Sequence, residues 1–390
     1  MDELKKNIII FKANFDSLIS FAEQMTDAFL KMGYDVLLVD MENSVKTLAA
    51  IYEFAVPNQT VALFFNHVGL NLLNKEHGIL WNELKTDCYD MIVDHPMYYH
   101  AAIIFPIEKS TFLCVDKFHQ KFIERFYKER VKSYFLPLAG SKATQPEIAF
   151  RERSMDIVFT GAYLVDNRID IHTAGLLEGT KALWMECYQL LTTCKTMAIE
   201  QAVESCLTKK GIQLPEEDLR DTVRLFKEMD GMLRSTMRAK VVKILADNDI
   251  QCHVYGEGWE FLDCKQENLI IHGRVAFLES IRLMADARIV LNVMPWFKDG
   301  VHDRVYTAML NKSVCLTDSS KFMDETLKDG EHVIMYSLDA LEELPKKVRY
   351  YLDHIDVLEK ISQTGYQYAD GNEDWTSRAK LLESIFKGRE

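Results

Sequence analysis

From Asn7 onward the chain sets short, unbroken apolar runs against longer stretches in which apolar residues recur every three or four positions. "NIIIFK" (7–12), "DVLLVD" (35–40), "QTVALFFN" (59–66), "CYDMIVDHP" (88–96), "STFLCVD" (110–116) and "SYFLPLAG" (133–140) read as strands. Between them "FDSLISFAEQMTDAFLKMG", "SVKTLAAIYEFA" and "KFHQKFIERFYK" read as helices, the first closed by Gly33. Strands that are apolar on both faces and separated by helices belong in a parallel sheet covered on both sides. Residues 1–138 are therefore expected to form one Rossmann-like α/β domain.

Residues 139–154, "AGSKATQPEIAFRERS", lose the periodicity and suit a linker. The alternation restarts over 155–366 with "MDIVFTGAY" (155–163), "QCHVYGEGW" (251–259), "NLIIHGRV" (268–275), "ARIVLNVMP" (287–295), "SVCLTD" (313–318) and "HVIMYS" (332–337), a second Rossmann-like domain. A plain strand–helix–strand unit needs about 30 residues, so the helical stretch at about 165–248 is expected to carry an all-helical insertion. The chain closes on helix, with a break near Gly371, and residues 367–390 are expected to pack back across the domains.

A length of 390 residues suits two domains, and 48% hydrophobic residues can fill two cores. The net charge of -13 leaves no basic footprint and argues against a dedicated nucleic-acid binder. The first apolar run is too short to span a bilayer or to serve as a secretory core. The eight cysteines form no Cys-x-x-Cys pair and read as reduced thiols, so a cytoplasmic location is expected.

Ligands of open parallel sheets bind beyond the carboxyl ends of the strands. In the first domain that selects Asn66 and His67, then Asp94, His95 and Tyr98 in "DHPMYYH", where a carboxylate or imidazole could act as general base or hold a sugar hydroxyl. In the second it selects Gly161 and Tyr163, Gly256 and Trp259, Gly273 and Arg274, and the segment "FKDGVHDRVYTAMLNKSVCLTD" with Asp299, Gly300, His302, Asp303 and Arg304. Each glycine could equally be a tight turn, and Asp303 a helix cap. There is no dinucleotide Gly-x-Gly-x-x-Gly, no Gly-Lys-Ser/Thr phosphate loop and no Gly-x-Ser-x-Gly elbow. The Asp-x-Asp at 247–249 precedes a strand, the wrong end for a metal-bound diphosphate, so no metal site or cofactor is expected.

"DIVFTGAY", "VYGEGW", "HGRVAFLESIRLMADARIVLNVMP" and "FKDGVHDRVYTAMLNKSVCLTD" follow the order and spacing of glycosyltransferases of the two-domain GT-B fold. The nearest resemblance is to the CgeB-like, spore-maturation-protein-like branch of the glycosyl transferase group 1 family. It covers about 160–165 and 250–380, and reaches the first 140 residues only as a fold pattern. In that alignment the family's first motif acid falls on Asp299, followed by Gly300, and its second, which grips the nucleotide ribose, falls on Thr307. The departure leaves the ribose to Asp303 or His302, while Arg304 matches an arginine frequent in the branch.

The resemblance implies GT-B architecture, two domains facing across a cleft, and transfer of a sugar from a nucleotide diphosphate sugar to a glycan, lipid-linked or protein acceptor. It implies a retaining, metal-independent hexosyltransferase-type reaction, with Asp299 near the donor sugar and with Arg274, Arg304 and the helix start facing the diphosphate. Asn66, His67 and Tyr98 would meet the acceptor, and Asp94 or His95 would be the base of an inverting enzyme. A sugar-nucleotide epimerase and a non-catalytic sugar-nucleotide-binding protein remain as alternatives. Peripheral membrane contact and oligomerisation through the insertion also stay open.

Overall fold

Each of the twelve apolar runs becomes a strand in a computed structural model that describes residues 7–41, 44–164 and 169–388. The chain divides into two units, Met1–Ala139 with Gly371–Glu390, and Gly140–Asp370.

In the first unit β1 (Asn7–Phe11), β2 (Asp35–Val39), β3 (Thr60–Phe65), β4 (Asp87–Ile92), β5 (Ser110–Cys114) and β6 (Lys132–Phe135) form one parallel sheet in the order β2-β1-β3-β4-β5-β6. Continuous β-branched and aromatic runs work here because both faces are covered; every residue of β3 is buried. The helix Asp16–Lys31 buries Leu18, Phe21, Met25 and Phe29. The helix Trp375–Phe386 lies against it, with Phe21 and Trp375 ring centroids 4.6 Å apart and Phe29 and Phe386 6.0 Å apart. Trp375 is therefore a packing anchor, and the closing segment from Gly371 completes this unit.

The second unit holds β7 (Met155–Thr160), β8 (Cys252–Tyr255), β9 (Leu269–His272), β10 (Ala287–Asn292), β11 (Val314–Asp318) and β12 (Ile334–Tyr336), parallel in the order β12-β11-β10-β7-β8-β9. Strand order reverses between β7 and β10, so the crevice beyond their carboxyl ends is where this topology lodges a ligand.

Two boundaries differ from the sequence reading. The helix Glu228–Ala246 is no part of an insertion, because Met237, Val241, Val242, Leu245 and Ala246 sit in the core with Cys252 and Val254 of β8. The added helices among the described residues are those before it, including Glu178–Thr193, Ile199–Lys209 and Glu216–Leu225. Residues 140–154 are also not a loose linker. A Cβ on Gly140 would lie 2.5 Å from the Tyr306 carbonyl carbon, and Ser141 and Arg153 are buried within the second unit. No helix among the described residues is long and apolar enough to cross a membrane.

Candidate functional site

Arg304 stands in the first turn of the helix Asp303–Leu310, which follows β10, and its side chain is buried. Its guanidinium spans the strand reversal: Nη1 donates to Asn292 Oδ1 at the end of β10 at 2.7 Å, and Nη2 donates to the Thr160 carbonyl at the end of β7 at 2.5 Å. Nε reaches Thr160 Oγ1 at 3.3 Å, and the Phe159 ring lies 5.2 Å away. Asn292 passes the network on, donating to Thr317 Oγ1 at 3.0 Å, and its carbonyl accepts the Tyr336 hydroxyl at 2.8 Å.

Two further arginines join it, from the helix Glu228–Ala246. Residues i and i+4 share a helix face, and this brings Arg234 and Arg238 to one indole, 4.6 Å and 5.2 Å from the Trp296 ring centroid. Arg238 donates to the Ala162 carbonyl at 3.0 Å, just beyond β7, while its Nε is sealed from water without a hydrogen-bond partner. Burial, then repulsion by Arg304 and Arg234, pushes its pKa down to about 9. Arg234 pairs with Asp230, Nε to Oδ2 at 3.0 Å. Three guanidiniums thus crowd the reversal point.

The compensating carboxylates are also buried. Asp318, at the end of β11, accepts the Met294 N–H at 2.8 Å, and burial pushes its carboxyl up to about 7 against the opposing pull of Lys298 and Arg238. Burial would raise the Asp303 carboxyl too, but His302 and Arg304 hold it below the ordinary range. Burial keeps the His302 imidazole below its ordinary value, and its Nδ1 caps the helix by accepting the Arg304 N–H at 3.1 Å, with Asp303 Oδ1 2.8 Å away. The helix start is therefore partly capped by its own chain, and much of the attraction for an anion rests on the guanidiniums.

Other residues selected from the sequence are used differently. Thr307 is fully buried and its Oγ1 accepts the Ser141 N–H at 3.1 Å, which commits it to holding residues 140–141. Asp299 is buried, with Lys321 Nζ 3.9 Å from Oδ2, and the Gly300 carbonyl accepts the Ser320 hydroxyl at 2.6 Å. Gly256 is required by packing, since a Cβ there would stand 2.3 Å from the Gly161 carbonyl oxygen. Trp259, wholly buried, donates to that same oxygen at 2.7 Å, and Tyr163 stacks on it at 5.5 Å. Gly273 is open, and Arg274 is exposed, 3.6 Å from Glu257.

In the first unit Asn66, His67 and Asp94 come together at the adjoining ends of β3 and β4, while His95 and Tyr98 belong to the turn that follows β4. Asn66 and His67 both take left-handed backbone angles, φ 49° and 57°, at some energetic cost for non-glycine residues. The turn is held by Asn66 Oδ1 accepting the Val93 N–H at 3.0 Å and by buried Asp90 accepting the His67 N–H at 2.9 Å. The His67 ring lies 5.4 Å from that of Tyr99, whose hydroxyl donates to Asp94 at 3.2 Å. His95 caps the turn at Pro96–Tyr98 by accepting the Met97 N–H at 3.1 Å, and its ring packs on His119 and Phe122, while Tyr98 is half-buried. Asp90, Arg234, Arg238, Trp296 and Asp318 were missed from the sequence. Among the described residues no cluster of three or more His, Cys, Asp or Glu could hold a metal ion.

A family profile described as glycosyl transferase-like matches residues 234–384, a span that opens on Arg234 and contains Arg238 and Arg304. Among curated proteins none matches the sequence. Among solved structures, the chain resembles a sucrose-phosphate synthase from Thermosynechococcus elongatus at TM-score 0.54 and 8% identity, covering 98% of each chain. It resembles Anabaena HepE in complex with UDP-glucose at TM-score 0.52 and 11% identity, covering 98% of this chain and 99% of that one. TarM aligns at TM-score 0.51 and 9% identity over 87% of this chain, which spans 57% of TarM's length. These likenesses establish the fold, the GT-B architecture of two parallel α/β units.

Proposed function

We propose that the chain is a glycosyltransferase that takes a sugar from a nucleoside diphosphate sugar and passes it to an acceptor hydroxyl. The observation that carries this is the arginine cluster at the strand reversal of the second unit: Arg304 bridging β7 and β10, and Arg238 buried beside it with an unsatisfied Nε. Burying like charges together is costly unless an anion joins them. A diphosphate supplies that anion, with the forked geometry that guanidiniums match. HepE, of like fold, is known in complex with UDP-glucose, which supports the same ligand class here.

In this reading the bond between the anomeric carbon and the diphosphate oxygen breaks while the acceptor oxygen bonds to that carbon. Arg238, Arg234 and Arg304 neutralise the charge that gathers on the departing diphosphate, the work a metal ion does elsewhere. Asp299 lies on the sugar side, and its burial suits a group that orients the segment 298–302. Thr307 is turned away to Ser141, so the ribose falls to Asp303 or His302. The acceptor meets Asn66, His67 and Tyr98, with Asp94 and His95 beside them. Retention follows if the leaving diphosphate takes the acceptor proton, and inversion would assign that proton to Asp94 or His95.

The decisive experiment is a panel of nucleoside diphosphates and their sugars, read by thermal shift and by nucleoside diphosphate release, with EDTA in one arm. A bound nucleotide at 100 times its Kd stabilises by about 2.7 kcal/mol. Absence of any shift across the panel overturns the donor-site assignment, and conversion of a nucleotide sugar with no acceptor present points to an epimerase instead.

A further inference from the structure

The opposite end of the 303–310 helix borders a cavity of about 190 Å³ that the donor reading does not use. It lies wholly within the second unit, at the amino end of its sheet, between Arg153 before β7, Arg282 before β10 and Lys312 before β11. Its wall carries four cationic side chains, Lys142, Arg153, Arg282 and Lys312, against the single carboxylate of Glu147.

Arg153 anchors the base of the cavity. It is 3% exposed, donates through Nη1 to the Ala287 carbonyl at 2.9 Å and Ser313 Oγ at 2.7 Å, and donates through Nη2 to the Asn311 carbonyl at 2.9 Å. Its Nε is sealed from water and has no hydrogen-bond partner. Above it, Lys142 and Lys312 converge on one ring, with their ammonium groups 5.6 Å and 4.9 Å from the Tyr366 centroid. Their present partners are Asp370 and Glu147, and Arg282 is paired with Glu279 on its own helix, Nε to Oε2 at 2.8 Å; all three carboxylates are exposed, and such surface pairs contribute only about 0–1 kcal/mol. A multivalent anion can displace them at little cost.

We infer that this cavity is a binding site for a small phosphorylated ligand, its phosphate held between Lys142, Lys312 and Arg282, and its remainder laid along Tyr366. The volume is that of about six waters at roughly 30 Å³ each, enough for a phosphate with a small polar body. Phosphate rather than a lone carboxylate suits the site, because a dianion meets two ammoniums and a guanidinium at once. The segment that forms one wall is tied to the donor helix: Asn311 accepts the Ala143 N–H at 2.7 Å and donates to the Ser141 carbonyl at 2.8 Å. Occupancy here is thereby felt at a helix capped by His302 and holding Arg304 in its first turn.

The test is calorimetric titration of the full chain with inorganic phosphate, glucose 6-phosphate and glucose, each with and without saturating UDP. Saturable binding of either phosphate compound, none of glucose, and persistence with UDP present are expected. Tighter binding of the ester than of phosphate marks a phosphorylated metabolite, and equal binding marks the free anion. The paired substitutions Lys142→Ala and Lys312→Ala are expected to weaken binding at least tenfold while UDP affinity and the circular dichroism spectrum stay unchanged, and Arg282→Gln to weaken it several-fold. No saturable binding, competition by UDP, or equal binding in the lysine variant overturns the site.

Discussion

Arg304 Nη1 donates to Asn292 Oδ1 at 2.7 Å, joining the first turn of a helix to the strand that precedes it. The bond makes Arg304 both an electrostatic and a structural residue, whereas Arg238 donates to one backbone carbonyl, lies over the Trp296 and Phe159 rings, and is repelled by Arg304 and Arg234. The two are therefore expected to respond oppositely to neutral replacement. Arg238→Met should leave thermal stability equal or raise it while lowering nucleotide affinity at least tenfold, because it removes a buried charge that forms no direct ion pair among the described residues. Arg304→Met should lower both, since Asn292 and Thr160 each lose a donor, at about 1–3 kcal/mol for each orphaned group. Melting and UDP titration of the two variants side by side decide this.

Thr307→Val tests the departure from the family motif. The Ser141 N–H loses its acceptor in a fully buried setting, so stability is expected to fall by about 1–3 kcal/mol. Nucleotide affinity should hardly move. A large loss of affinity without loss of stability would return Thr307 to the ribose.

Asp90 offers a pH test. Burial raises its carboxyl from an ordinary value of 3.8 to about 7, although the His67 N–H pulls the other way. Between those values the folded chain keeps the proton and the unfolded chain releases it. The stability is thus full below about pH 4 and is lost as pH rises to about 7. Asp90→Asn keeps an oxygen for the His67 N–H and cannot ionise. Its stability relative to the parent should therefore climb between about pH 4 and pH 7 and then level off, toward a gain of at most about 4 kcal/mol. A difference that stays constant with pH would refute the burial of an ionisable proton there.

Gly256→Ala should destabilise by about 1–3 kcal/mol or more, because its methyl meets the Gly161 carbonyl oxygen, an atom of the backbone. The same change would disturb the Trp259 bond to that oxygen, so a shift in tryptophan fluorescence should accompany the loss.

The strands were legible because a buried parallel strand has no polar face to obscure its run, as β3 illustrates. The roles at strand ends were harder to read. Gly256 and Trp259 follow a strand just as ligand-binding residues do, and only the approach of two backbones distinguishes packing from binding. Arg234 and Arg238 were hidden inside a stretch read as insertion. A signal was present: the apolar residues Met237, Val241, Val242 and Leu245 run directly into β8, which marks their helix as one that covers the sheet and carries its upstream residues toward the strand ends. Thr307 stands out in the sequence as a departure from the motif of the resembled family, but its bond to Ser141 spans 166 residues of sequence and no local pattern announces it.

The return of residues 375–386 to the helix Asp16–Lys31 has a bearing on how the molecule is made. During synthesis the first sheet emerges early, but Phe21 and Phe29 must wait until the ribosome has passed Trp375 and Phe386 before their partners exist. The second unit, contiguous from Gly140 to Asp370, can close before that. The unit that begins first is completed last, and in the interval an unfinished apolar face is what a chaperone would find.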